Sequence, residues 1–233
     1  MGKFEIAFGR NVLEEAFRAE VEIQRVYFSG KNDRYFVQDL MRAYGRQLEL
    51  VHGLPKKIKD QSAQGLAFEY QHDFYVDSFR EAEPAVVLLC NHLQDVQNLG
   101  ALTRTAAAFG VSTIVHENKR SVEMNATALK ISAGTAFHVG FMSVSNLTHV
   151  IKSLQKRGYQ VAGLESGGQN LYQWQPMAPL ALVVGAEESG LSRPVAKMMD
   201  FSLEIPMRPE VESLNAAQAG GIALSWVHSC LFG

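Results

Sequence analysis

The stretch AVVLLCNHLQDVQNLGALTRTAAAFGVSTIVHE, residues 85–117, decides how this chain is read. An apolar run of strand length, AVVLLC, gives way to a polar loop, then to a helical period over residues 98–109, then to a second short run, STIVHE. Strand and helix in alternation predict a parallel sheet covered on both faces. On a helical wheel Leu99, Leu102, Ala106 and Phe109 gather on one side. Arg104 falls almost opposite, in a nearly bare row with Gln97, Ala101 and Ala108. A surface arginine is the ordinary reading of such a position; open room around it is the unusual part.

The alternation continues outward to the C-terminus. AFHVGFM, YQVAGLE, LALVV and FSLEIP read as further strands, with helices expected around 121–133, 146–157, 193–199 and 213–230. In such sheets ligands bind beyond the carboxyl ends of the strands, so the loops after VVLLC, LALVV and SLEIP are where chemistry is sought. Toward the N-terminus the order is helix (VLEEAFRAE), strand (IQRVYFS), helix (RYFVQDLMRAYG), strand (QLELVH), loop and strand (LAFEYQ), a small α/β unit. The acidic, weakly periodic HDFYVDSFREAEP closes at Pro84. The expected division is a first domain over 1–75, a linker over 76–84 and a second domain over 85–233.

Composition narrows the function. The chain of 233 residues is 47% hydrophobic and 20% charged, the profile of a folded protein with a sizeable core. No apolar run approaches the ~20 residues of a membrane helix, and the start lacks a signal-peptide core, so a cytoplasmic location is expected. The two cysteines, Cys90 and Cys230, stand in apolar surroundings and read as reduced core thiols. Seven scattered histidines give no metal-ligand spacing. A net charge of −2 argues against a strongly basic, non-specific nucleic-acid binder. Locally, however, Arg42, Arg46, Lys56, Lys57 and Lys59 surround a single acid, Glu49, and a patch of that kind is sufficient to meet phosphates.

Each of the three loops is ambiguous alone. In the first, Asp95 and Asn98 are both plausible helix caps. The second, GAEESGLSRP, places Gly185 and Gly190 where backbone can approach a ligand, with Ser192 as cap and Pro194 in the next first turn. It is not a dinucleotide fingerprint, which leaves a nucleotide-dependent oxidoreductase remote. Glu187 and Glu188 are adjacent and diverge, so paired-carboxylate hydrolysis is not expected. In the third, Ser213 is expected to cap a long helix whose first turn holds Asn215. The stripe Leu214, Ala217, Gly221, Leu224, Val227 and Leu231 fits close packing within the domain or a dimer seam.

Taken together and in order, QNLGALTRTAAAFGV, VVGAEESGLS and EIPMRPEVESLN resemble the three motifs of the SpoU/TrmH family (SPOUT superfamily) of RNA 2′-O-ribose methyltransferases. SVEMNATALKISAGTAFHV is also typical of it, and FGRNVLEEAF with SAQGLAFEY resembles the family's ribosomal-protein-like, RNA-binding N-terminal domain. The resemblance implies a catalytic domain with a C-terminal trefoil knot, S-adenosyl-L-methionine as cofactor, no metal, and a homodimer whose two subunits complete the site. It places Val184, Gly185, Ile205, Met207 and Leu214 at the cofactor, largely through backbone. Asn98, Arg104, Glu187, Ser213 and Asn215 fall on polar active-site positions, and the basic patch on RNA. Ribosomal RNA is favoured over transfer RNA. The alternative is an RNA-binding protein that keeps the scaffold without catalysis. Asn91, Val96 and Pro209 depart from the family's usual aspartate, proline and glycine at those positions.

Overall fold

A computed structural model describes residues 4–55, 58, 65–187 and 189–233. Two sheets organise it. The smaller has the order β1-β4-β2-β3, from Glu5–Phe8 (β1), Glu22–Phe28 (β2), Glu49–His52 (β3) and Leu66–Gln71 (β4). Helices α1 (Arg10–Arg18) and α2 (Lys31–Ala43) complete that unit. The first strand was not anticipated from sequence, because at four residues its alternation is too short to give a periodic signal.

The larger sheet has the order β10-β8-β9-β5-β6-β7, and every neighbouring pair is parallel. Its strands are Val86–Cys90 (β5), Thr113–Glu117 (β6), Gly140–Val144 (β7), Gln160–Asn170 (β8), Leu180–Val184 (β9) and Phe201–Glu204 (β10). The helices are Val96–Ala108 (α3), Ala126–Ile131 (α4), Leu147–Lys156 (α5), Arg193–Ala196 (α6) and Ala216–Phe232 (α7). The central strands β5 and β9 are buried at every residue, as a sheet covered on both faces requires. Val87, Leu89, Val161 and Val183 pack against Leu147, Ile151 and Leu154 of α5 on one side. Leu88, Leu182 and Val184 meet Leu99 and Leu102 of α3 and Leu224 of α7 on the other.

Asparagine and aspartate caps set the helix starts. Asp95 accepts from Gln97 N at 2.9 Å, Asn125 from Thr127 N at 3.0 Å and Asn146 from Thr148 N at 2.9 Å. Four expectations are corrected. The helix over 121–133 shortens to α4 because Asn125 caps it, and AFHVGFM divides into a 3₁₀ turn (Thr135–His138) before β7. Cys230 is exposed, whereas Cys90 is buried and burial pushes its thiol up to about 12. The buried face of α7 is Ala216, Ala217, Gly220, Ala223, Leu224 and Val227, since a Cβ on Gly220 would lie 2.6 Å from Leu102 Cδ1. Gly221 instead faces Thr105 beside a groove.

The segment between the sheets is tied down. Phe141 N donates to Phe74 O and Val76 N to Phe141 O, each at 2.9 Å, extending the β7 edge. Arg157 and Tyr159 donate to the carbonyls of Ala82 and Pro84, each at 2.7 Å. The hydrophobic core runs from the small sheet into the large one through Tyr70, Phe74, Phe137 and Phe141. Among the described residues no helix is long and apolar enough to cross a membrane.

Candidate active site

The loops that follow β5, β9 and β10 converge. The turn after β9 is closed by two main-chain bonds, Ala186 N to Gly190 O at 3.0 Å and Gly190 N to Ala186 O at 2.9 Å. Gly185 is buried under this closure; a Cβ there would overlap the main chain of Gly190, so no larger residue fits. Gly190 takes φ +61°, and the space above it is open.

Beside this turn lies a cavity of about 800 Å³. Val184, Gly185, Leu191, Leu203, Ile205 and Leu214 give it an apolar floor, and Met207, Glu187 and Ser213 stand at its edge. All five residues expected at a cofactor therefore line one cavity. Its wall also contains Leu164, Glu165 and Ser166, which the sequence reading missed. They arise from a register jump: Ser202 of β10 pairs with Gly163 of β8, but Leu203 pairs with Gln169. The intervening residues loop out of the ladder. Gly167 and Gly168 within the strand pattern were the available signal, because glycine in a strand marks such irregularity. Glu204 and Glu212 add carboxylates to the same lining.

A polar cluster links the cavity, lined by Glu187, to a groove between α3 and α7, lined by Asn98 and Asn215. Asn98, buried near the start of α3, donates from Nδ2 to Glu187 Oε2 at 3.1 Å. Asn215 Nδ2 donates to Asn98 Oδ1 at 2.6 Å and lies 3.4 Å from Glu187 Oε2. Asn215 Oδ1 is turned the other way and accepts from Ala217 N at 2.9 Å. Asn215, not Ser213, is thus the cap of α7; Ser213 sits two residues too early for its hydroxyl to reach the first free N–H groups. One residue from each loop meets in this cluster, spanning separations of up to 117 positions.

Arg104 is not brought into it. The residue is exposed on α3, has no hydrogen bond or ion pair among the described residues, and is absent from the cavity lining. It stands one helical turn from Ala101 and next to Thr105. These two, with Gly221, Ile222, Ser225 and Trp226, line a groove of about 1170 Å³ between α3 and α7. Trp226 Nε1 donates to Trp174 O at 3.1 Å, and Tyr172 meets its ring edge-on at 5.5 Å, which fixes the groove wall.

Of the basic patch, Arg42 and Arg46 are among the described residues. Arg42 is exposed and 3.3 Å from Asp39. Arg46 donates to Val21 O at 2.8 Å and lies 5.1 Å above the Phe17 ring, so its head serves the small domain's packing. Lys56, Lys57 and Lys59 lie outside the described residues. No group of three His, Cys, Asp or Glu that could hold a metal occurs among the described residues.

The cavity suits a nucleoside-bearing sulfonium. Its volume is within the range of small-molecule sites, its apolar floor fits a flat base, and its carboxylates suit cationic groups. Comparison with known proteins agrees with this geometry. Residues 85–225 match the model of the SpoU rRNA Methylase family. A Staphylococcus haemolyticus protein placed in the TrmH family of tRNA/rRNA methyltransferases is 33% identical, over 96% of this chain and 94% of its own. Two solved structures share the fold. The SpoU methyltransferase AviRb of Streptomyces viridochromogenes, in complex with AdoMet, superposes with a TM-score of 0.80 at 18% identity, over 97% of this chain and 89% of that one. An RNA 2′-O ribose methyltransferase gives 0.80 at 21% identity, over 96% and 87%. The matched residues include both the cavity and the polar cluster, and the chain belongs to the SpoU rRNA methylase family.

Proposed function

We propose that this protein methylates a ribose 2′-hydroxyl in structured RNA, ribosomal RNA before transfer RNA. As a family member it is an S-adenosylmethionine-dependent RNA methyltransferase. What carries the finer reading is the bonding of Glu187, which lines the cavity with Gly185, Ile205 and Leu214, to Asn98 and through it to Asn215, both of which line the α3/α7 groove. When bound there, the cofactor supplies a methyl group on a sulfonium, already disposed to transfer.

The residues have the harder task, because an alcohol is a poor nucleophile until its proton is leaving. Arg104 acts as a clamp rather than a base: its planar fork holds the neighbouring phosphate and steadies charge developing on the 2′-oxygen. The proton passes to a phosphate oxygen or water. Asn98, Glu187 and Asn215 hold the loops and orient the sugar hydroxyls, with Ser213 at the cavity edge. Since Arg104 stands beside the α3/α7 groove and away from its own chain's cavity, the reading requires two copies paired across that groove, each lending its arginine to the other. The groove's small and apolar lining at Ala101, Gly221 and Ile222 supports close pairing. The domain division at 1–75, 76–84 and 85–233, RNA docking by the first domain, and a trefoil knot in the C-terminal segment belong to the same proposal. The loops after β9 and β10, which line one cavity before α7 returns to α3, support the knot.

The test uses unmethylated ribosomal RNA and cofactor labelled in the methyl group. A 2′-O-methyl removes the internal nucleophile needed for alkaline strand cleavage, so label is expected in alkali-resistant dinucleotides. Label confined to mononucleotides would move the methyl to a base and overturn the ribose assignment.

A further inference from the structure

The cofactor turn is held at both ends by one buried residue outside the three motifs. Asn91 follows β5 and is fully buried. Its main-chain N–H donates to Val184 O at 2.9 Å, the last carbonyl before Gly185. Its side-chain Oδ1 accepts from Ser192 N at 2.7 Å, the first N–H after Leu191. The single residue therefore grips the turn where it leaves β9 and where it enters α6.

Which way the Asn91 amide faces is fixed by Glu117, at the end of β6. Asn91 Nδ2 donates to Glu117 Oε2 at 2.8 Å. A carboxylate only accepts, so the NH₂ must face Glu117 and the carbonyl oxygen must face Ser192. Glu117 is itself held: Oε1 accepts from Leu147 N at 3.4 Å, at the start of α5, and His92 Nδ1 lies 3.3 Å from Oε2. Ends of β5, β6 and β9 and the starts of α5 and α6 are thus joined through two side chains.

We propose that Asn91 is a positioning residue for the methyl-donor turn, with Glu117 orienting it. The inference rests on the reading of the 800 Å³ cavity as the donor site. The amide is required because it alone offers an acceptor to Ser192 and a donor to Glu117. An aspartate at this position could still accept from Ser192, but would set a second carboxylate against Glu117, and like charges that close do not both ionise without cost. Aspartate here is compatible only with a partner at the end of β6 that donates.

That logic gives a cycle in which the carboxylate and the amide exchange places. Asn91→Asp, Glu117→Gln and the double variant are titrated calorimetrically with S-adenosylmethionine and S-adenosylhomocysteine, and assayed for methyl transfer at saturating donor. Hydrogen exchange of the 185–192 segment is followed without ligand, against β6 as internal control. Asn91→Asp is expected to weaken both ligands at least tenfold and to speed exchange in 185–192, while kcat at saturation stays within about threefold of wild type, the split expected when binding rather than the reacting groups is disturbed. Glu117→Gln should stay within about threefold on both counts, because its one carbonyl oxygen can still accept from Asn91 and only the 3.4 Å bond from Leu147 N is given up. The double variant should return binding and exchange to near wild type, since the introduced glutamine can donate to the introduced aspartate. Unchanged binding in Asn91→Asp overturns the proposal. So does a double variant that fails to fold or binds no better than Asn91→Asp. A wild-type protein that binds neither ligand overturns the cavity reading itself, a separate result visible before any variant is made.

Discussion

The two ends of the large sheet are joined to the rest of the molecule by opposite means. At the β7 edge, toward the small sheet, contact is made by rings: Phe74 stacks on Phe137 at 5.5 Å, Tyr70 and His72 meet Phe137 edge-on, and Phe141 closes the cluster. At the carboxyl ends of β5, β9 and β10 contact is made by amides, carboxylates and main chain. Ring packing is tolerant of direction and rich in buried area, so it supplies stability. Hydrogen bonds are directional and modest in net energy, so they fix geometry at small stability gain. The comparison teaches that in this chain stability and site geometry are held in different places and should respond to different substitutions.

The comparison breaks most sharply at Phe137, which is 1% exposed and packs on Tyr70 of β4 and on Phe74, the ring that in turn meets Phe141 of β7. Phe137→Ala is expected to cost about 3–5 kcal/mol of unfolding free energy in denaturant titration. Donor binding by the folded fraction should be retained. Loss of binding without loss of stability would reverse the assignment of roles. Arg104→Lys probes the other end. Lysine keeps the charge and loses the fork, so methyl transfer should fall about 100-fold, roughly 2.7 kcal/mol in the barrier, with the melting temperature unchanged. Near-full activity would remove the clamp. Asn215→Ala sits between these cases, since it deletes a helix cap, about 1 kcal/mol, and leaves Asn98 Oδ1 unpaired. It should lower both stability and activity, the one substitution here that moves both.

A smaller effect separates the regions by pH. Burial lowers the pKa of His72, beside the ring cluster, and of His116, at the end of β6, from the ordinary 6.5. The unfolded chain takes up these protons near 6.5 and the folded chain resists them, so their stability contribution is full above that value. It is lost as pH falls below 6.5 toward the lowered folded values. Melting temperature should therefore drop between about pH 7.5 and 5.5, and less steeply in His72→Phe. An identical slope in that variant would show that His72 is not buried as described.

Sequence made the two ends unequally legible. Val86–Cys90 and Leu180–Val184 were readable because strands buried on both faces are apolar throughout, and Asp95 because caps are local. The cavity residues Val184, Gly185, Ile205, Met207 and Leu214 came from motif resemblance, and the structure gathers them. What escaped depended on distance along the chain. Glu165 and Ser166 reach the cavity through a register jump that no local pattern encodes, although the Gly167–Gly168 pair marked it. Asn91 was seen as a departure from the family pattern, but its tie to Ser192 crosses 101 positions. Arg104 was read as facing open room, and it does so on the surface of its own chain, beside a groove that only packing of α3 against α7 creates.

The central claim is that three separated turns form one methyl-donor site around a glycine that nothing else can replace. Calorimetric titration of wild type and Gly185→Ala with S-adenosylmethionine tests it directly, because a Cβ at 185 would overlap Gly190 and force the turn open while leaving the ring cluster untouched. Saturable binding by wild type, lost in Gly185→Ala with a smaller fall in melting temperature than Phe137→Ala causes, is the predicted result. Equal binding by the two proteins, or none by wild type, would contradict it.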